Sequence, residues 1–137
     1  MGATADDADQ ASALAKQLGI SKGQVVQEIG YDTDTDELVG DAVVAATGEQ
    51  GVDEDFDGVV DVVLLWWREE DGDLADALVD AKGPLADNGV VWLLSPKFGR
   101  PGALEPADIA DAAATSGIRR TTSVNLSQWA GVRLVSR

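Results

Sequence analysis

Neither cysteine nor histidine occurs in the 137 residues. Disulfides, thiolate nucleophiles, zinc sites built on Cys or His, Ser-His-Asp triads and a histidine general base are therefore excluded. Catalysis would have to rest on Asp, Glu, Lys, Arg, Ser, Thr, the single Tyr31, or on backbone and a cofactor. No apolar run approaches the roughly 20 residues of a membrane helix. The opening segment Met1 to Asp7 is acidic and has no apolar core, so it does not read as a secretory signal. Asp6 stands where a myristoylation motif wants Ser or Thr. These absences point to a soluble, cytoplasmic protein without a membrane partner.

What the chain has in excess is acid. Asp and Glu number 25 against 10 Lys and Arg, for a net charge of -15. Residues 1–81 hold 21 of the acids and 3 of the bases. Such a field repels nucleic acid phosphates and could steer a basic protein partner. Solubility alone is the plainer account of it. Apolar content of 45% and this length suit one domain with a real core. Residues 1–10 are small and polar and read as a flexible N-terminus, with the domain spanning 11–137.

Strand and helix signals then alternate. Ala11 to Leu18 predicts a helix, and Gln24 to Ile29 a short strand ending at Gly30. Asp34, Thr35 or Asp36 can cap a helix running to about Thr47, with Leu38, Val39, Ala42 and Val43 on its apolar stripe. Val52 could hold a very short strand. Val59 to Trp67 is almost unbroken apolar sequence, as in a central strand covered on both faces. A helix from Asp73 to about Leu85 follows, with Asn88-Gly89 as its stop and Val90 to Leu94 as the next buried strand. Glu105-Pro106 opens a last helix. Thr121 to Asn125 and Gly131 to Ser136 are too close for a crossover, so they predict an antiparallel hairpin. The order implies an α/β fold: a truncated, doubly wound, Rossmann-like and mostly parallel sheet closed by that hairpin.

Three stretches carry a resemblance. Gly23 to Gly30 resembles the opening strand and turn of the class I S-adenosylmethionine-dependent methyltransferases. Gly58 to Leu65 and Leu85 to Leu94 look like that family's fourth and fifth strands. The resemblance implies an adenosyl cofactor held at the first turn, whose family pattern is acid-x-Gly-x-Gly-x-Gly. Glu28 and Gly30 match it, but Asp32 and Asp34 replace the later glycines. Carboxylates there add bulk and repel the cofactor's own carboxylate. Residues 48–58 are too few for the usual strand-helix-strand, so no ribose-binding acid is carried over; Asp53 is the nearest. The whole chain also resembles a small acidic actinobacterial domain-of-unknown-function family (family 3052), on Leu64 to Asp73 and Trp92 to Lys97. That family lends no activity.

Two functional expectations follow. The first is a non-catalytic regulatory or protein-binding domain without a cofactor. Its partner would sit on the rim at the strand ends, formed by Trp66, Trp67, Lys97, Phe98 and Arg100. One of the two tryptophans must face the core, because neighbouring strand residues point to opposite faces. The alternative is a small-ligand binder or enzyme using S-adenosylmethionine or another adenine-containing cofactor. Glu28, Gly30, Tyr31 and Asp32 would then line the site, with Asp32 available as a base. A weaker metal reading rests on Asp53, Asp55 and Asp57, which match the start of a calcium loop. Leu64 occupies the twelfth position, where a bidentate Glu is required.

Overall fold

The computed structural model describes residues 5–136. In chain order they form α1 (Ala5–Leu18), β1 (Val26–Ile29), α2 (Glu37–Thr47), β2 (Val60–Trp66), α3 (Leu74–Lys82), β3 (Leu85–Pro96), α4 (Pro106–Thr115), β4 (Ile118–Asn125) and β5 (Trp129–Ser136). The five strands make one sheet in the order β1-β2-β3-β5-β4. β1, β2 and β3 pair in parallel, and β5 runs antiparallel between β3 and β4. The doubly wound sheet and its closing hairpin are therefore present as expected.

Side-chain alternation along the central strands builds two cores. Val62, Leu64 and Trp66 of β2, with Val90, Trp92 and Leu94 of β3, face α1 and α2. Val63 and Leu65, with Val91 and Leu93, face α3 and α4. This is why β2 reads as a continuous apolar run: both of its faces are covered. The indole N–H of Trp92 donates to the Leu18 carbonyl at 2.9 Å. It satisfies a carbonyl that the end of α1 would otherwise leave open. Asp36 caps α2 by accepting from the Leu38 N–H, and Asp73 caps α3 by accepting from Asp76. Among the described residues no helix is long and apolar enough to cross a membrane.

Several boundaries differ from expectation: β4 begins at Ile118 and β5 at Trp129, earlier than the expected Thr121 and Gly131. α1 begins at Ala5, so Ala5 to Gln10 are helical where a frayed segment was expected, and residues 1–4 lie outside the described residues. β1 starts at Val26, because Val25 instead donates its N–H to the Asp61 carboxylate. Asn88-Gly89 is no helix stop, since α3 ends at Lys82 and β3 already runs from Leu85. Pairing passes from Val60–Leu85 to Val62–Val90, so residues 86–89 bulge opposite Asp61 alone. Asn88 sits there at φ 67°. A bulge and a helix end both favour a residue that tolerates positive φ, so the dipeptide alone does not separate them.

Candidate functional site

Parallel pairing brings the exits of β1, β2 and β3 side by side, where open α/β sheets bind ligands. Gly30, the first residue after β1, lies at φ 79° directly on the exit of β2. A Cβ there would stand 2.2 Å from the Trp66 carbonyl oxygen, so only glycine fits. The Gly30 N–H donates to the Glu54 carboxylate at 2.7 Å, and its carbonyl accepts from Arg68 Nη1 at 2.9 Å. The loop after β3 joins the group where the Glu69 N–H donates to the Gly102 carbonyl at 2.9 Å.

Arg68 fills the space between these exits. Its guanidinium grips both oxygens of Asp34, with Nε to Oδ2 at 3.2 Å, and reaches Asp71 at 3.4 Å. It also lies 5.1 Å from the Trp129 ring centroid, a cation–π contact. The Trp129 indole N–H donates to the Asp34 carbonyl at 3.0 Å. The Trp129 ring meets Trp66 edge to face at 4.8 Å, and the Trp66 indole N–H donates to Glu28 at 2.7 Å. Glu28, Trp66, Trp129, Asp34 and Arg68 thus form one connected chain of contacts.

The two carboxyls respond in opposite directions. The hydrogen bond and charge of Arg68 hold Asp34 below the usual range for Asp. Burial pushes Glu28 above the usual range for Glu, against the lowering effect of the Trp66 indole.

The predicted rim residues are divided by this geometry. Trp66 is wholly buried and is not a rim residue, because strand alternation turns it into the α1–α2 core. Trp67 is half-buried on the opposite, α3 side. Phe98 projects with 87% exposure, beside half-buried Lys97, and Arg100 donates to the Gln128 carbonyl at 3.0 Å. Among the predicted cofactor residues, Glu28 and Gly30 meet at the exit of β1 and Tyr31 is 62% exposed. Asp32 points away. It accepts from the Thr33 N–H at 2.7 Å, and its carbonyl takes the Thr35 hydroxyl, so it shapes a turn while Asp34 reaches the crevice. The Asp53 carboxylate accepts from the Asp55 N–H at 3.0 Å. Among the described residues no three carboxylates, Asp53, Asp55 and Asp57 included, converge as a metal site.

Arg68 and Trp129 were not foreseen as partners. The only sequence signal was an arginine at the exit of the strongest strand. Its contacts come from Asp34, in the loop between β1 and α2, and from Trp129, the first residue of β5.

Two hollows of about 360 Å³ flank Tyr31, one toward Val52 and Asp53, the other toward Glu37, Asp41 and Val44 of α2. Val52 forms a single parallel bridge with Gln27, so Asp53 stands at an exit beside β1. An S-adenosylmethionine molecule fits these residues poorly. Arg68 and Asp34 hold the space above Gly30, and Glu54 takes the Gly30 N–H that could have met an anion. The hollows beside it are walled by further carboxylates.

A doubly wound sheet with this strand order and hairpin is methyltransferase-like. It is similar to a SAM dependent methyltransferase from Aquifex aeolicus, with a TM-score of 0.62 and 16% identity over 90% of this chain and 88% of that one. It is also similar to the mitomycin 7-O-methyltransferase MmcR, at a TM-score of 0.65 and 14% identity. The alignment covers 96% of this chain but only 54% of MmcR. These likenesses establish the fold alone. The family model described as "Protein of unknown function (DUF3052)" matches residues 15–137, and the chain belongs to that family. A protein of Mycobacterium tuberculosis (strain H37Rv), described as uncharacterized, is 53% identical over 98% of this chain and 85% of its own length.

Proposed function

We propose that this chain is a non-catalytic, protein-binding domain built on a methyltransferase-like scaffold. The observation that carries the reading is the Arg68 seal. In this fold the crevice between the first turn and the neighbouring strand exit is where a ligand would enter. Here a guanidinium occupies it, neutralised by Asp34 and bonded to the Gly30 carbonyl. Opening it would separate a charge-assisted, bidentate pair and uncover Trp129. Meanwhile the outer rim presents Phe98 and Tyr31 to solvent, and exposed aromatic side chains at a strand-end rim are what protein partners use as anchors.

The test is site-specific photocrosslinking in the native host, with a photoreactive phenylalanine analogue at position 98 or 31 and at position 59 as control. Val59 is exposed and precedes β2, at the end of the parallel strands opposite their exits. A discrete adduct from position 98 that is absent from position 59 supports the reading. Equal or absent adducts from all three would end it. The adenine-cofactor reading survives as the alternative, supported by the hollow between Tyr31 and Asp53.

A further inference from the structure

A second surface lies on the other side of the sheet from the two-helix layer of α1 and α2. There α3 stands over β2 and β3, and Ile29 of β1 packs against the edge of the same cluster. A groove of about 520 Å³ runs between β1 and α3. Its floor is Ile29, Leu65 and Trp67, with Phe56 at one end. Its far wall is α3 itself, where Asp73, Asp76 and Asp80 recur at helical spacing and Ala77 and Ala81 leave room between them. The three carboxylates span about 10 Å of α3 at 1.5 Å per residue. Glu54 adds a carboxylate on the opposite bank.

Two polar atoms of groove-lining residues are unmatched. Gln27 is only 3% exposed, and its amide N–H₂ donates to the carbonyls of Asp53 and Phe56 at 3.1 and 3.2 Å. Its Oε1 has no partner, and neither has the indole N–H of Trp67. A buried acceptor and a buried donor left open in one groove are unfavourable, and a bound segment carrying both kinds of group would relieve them.

We propose that this groove docks a cationic amphipathic helix of a partner protein, laid alongside α3. Resting on the reading of the chain as an interaction domain, it names a surface separate from the Phe98 rim and the chemistry of what binds there. Apolar residues of the incoming helix cover Ile29, Leu65 and the Trp67 ring, and a glutamine among them offers the acceptor and the donor that the Trp67 indole N–H and Gln27 Oε1 lack. Its lysines or arginines meet Asp73, Asp76, Asp80 and Glu54. Charge complementarity selects the occupant: the groove is banked by carboxylates in a chain of net charge -15, so an acidic or neutral helix is disfavoured.

The experiment titrates the intact protein with a synthetic amphipathic helix of Leu and Lys that carries one central Gln on its apolar face, with its Leu-Glu counterpart, bearing the same Gln, as control. It follows the indole N–H resonance of Trp67 and the affinity. The Leu-Lys peptide is expected to shift the Trp67 signal saturably, and the Leu-Glu peptide to leave it unmoved. Asp76→Lys with Asp80→Lys, both exposed positions, should weaken binding roughly tenfold or more. Asp108→Lys with Asp111→Lys on α4 makes the same charge change away from the groove and should weaken it less than about threefold. Equal losses from the two pairs would mean that the overall field alone attracts the peptide, and the groove would be discarded. So would binding that leaves Trp67 unmoved, or no binding. If Phe98→Ala abolishes binding while the α3 pair does not, the groove falls and the rim stands. A Trp67 response without any adduct from position 98 leaves the groove standing and removes the rim.

Discussion

Arg68 and Asp34 close a two-pronged ion pair across the crevice between the exits of β1 and β2, with the Trp129 ring beneath the guanidinium. The Arg68 side chain is 11% exposed and that of Asp34 55%, so the pair is half in water. Its geometry is bidentate, and each partner has further bonds, Arg68 to the Gly30 carbonyl and Asp34 from Trp129. The first turn, the central strand and the closing hairpin are thereby tied at one point.

Arg68→Ala should therefore destabilise the fold by about 1–2 kcal/mol, the range for lost hydrogen bonds to a charged group after discounting the exposed carboxylate. Urea unfolding at neutral pH checks this. Asp34→Asn keeps a carbonyl acceptor and should cost less than Arg68→Ala.

The two perturbed carboxyls give stability opposite pH dependences. Asp34 is held below 3.8, so its contribution is complete above that pH and is lost as pH falls through its lower folded value. Glu28 is raised above 4.5, so its ionised form weakens the fold at neutral pH. Protonation adds stability as pH falls through the raised folded value toward 4.5. Glu28→Gln keeps an acceptor for the Trp66 indole and should raise the urea midpoint at pH 7 while flattening the profile above 4.5. Arg68→Ala should flatten the acid limb below 3.8. Urea midpoints across this pH range for the three proteins make the comparison.

Gly30→Ala is expected to be among the most damaging single-methyl changes in the chain. The added carbon meets a backbone carbonyl at 2.2 Å, which cannot swing aside, and φ is 79°. The cost should be about 2–4 kcal/mol, combining left-handed strain with displacement of β1 from β2. Gly19→Ala offers the contrast, since it has a similar φ but nothing within 4 Å. It should cost about 1 kcal/mol.

Much of this architecture was legible in the residues. The continuous apolar run of β2 announced a doubly covered strand, and Asp36 and Gly48 bracket α2 as their chemistry suggests. The pairing of Trp66 with Trp67 implied one inward and one outward indole, though not which. What stayed hidden depends on tertiary meeting. Arg68 acquires its role only because β1 and β2 are neighbours and the hairpin carries Trp129 back over both. Asp32 and Asp34 look alike in sequence, and only the turn shows that Asp34 alone reaches the crevice. The unmatched oxygen of Gln27 lies within a strand that reads as ordinary. Ala5 to Gln10 lack an apolar stripe, yet they extend α1, where alanine propensity and acids near a helix start act together.

The most direct test of the sealed crevice is a titration of the folded protein with S-adenosylmethionine up to millimolar concentration, following the indole N–H resonances of Trp66 and Trp129. The seal predicts that neither signal moves, because Glu28 and the Asp34 carbonyl keep both donors and Arg68 stays in place. Saturable movement of either signal would show the cofactor displacing Arg68 and would contradict the account.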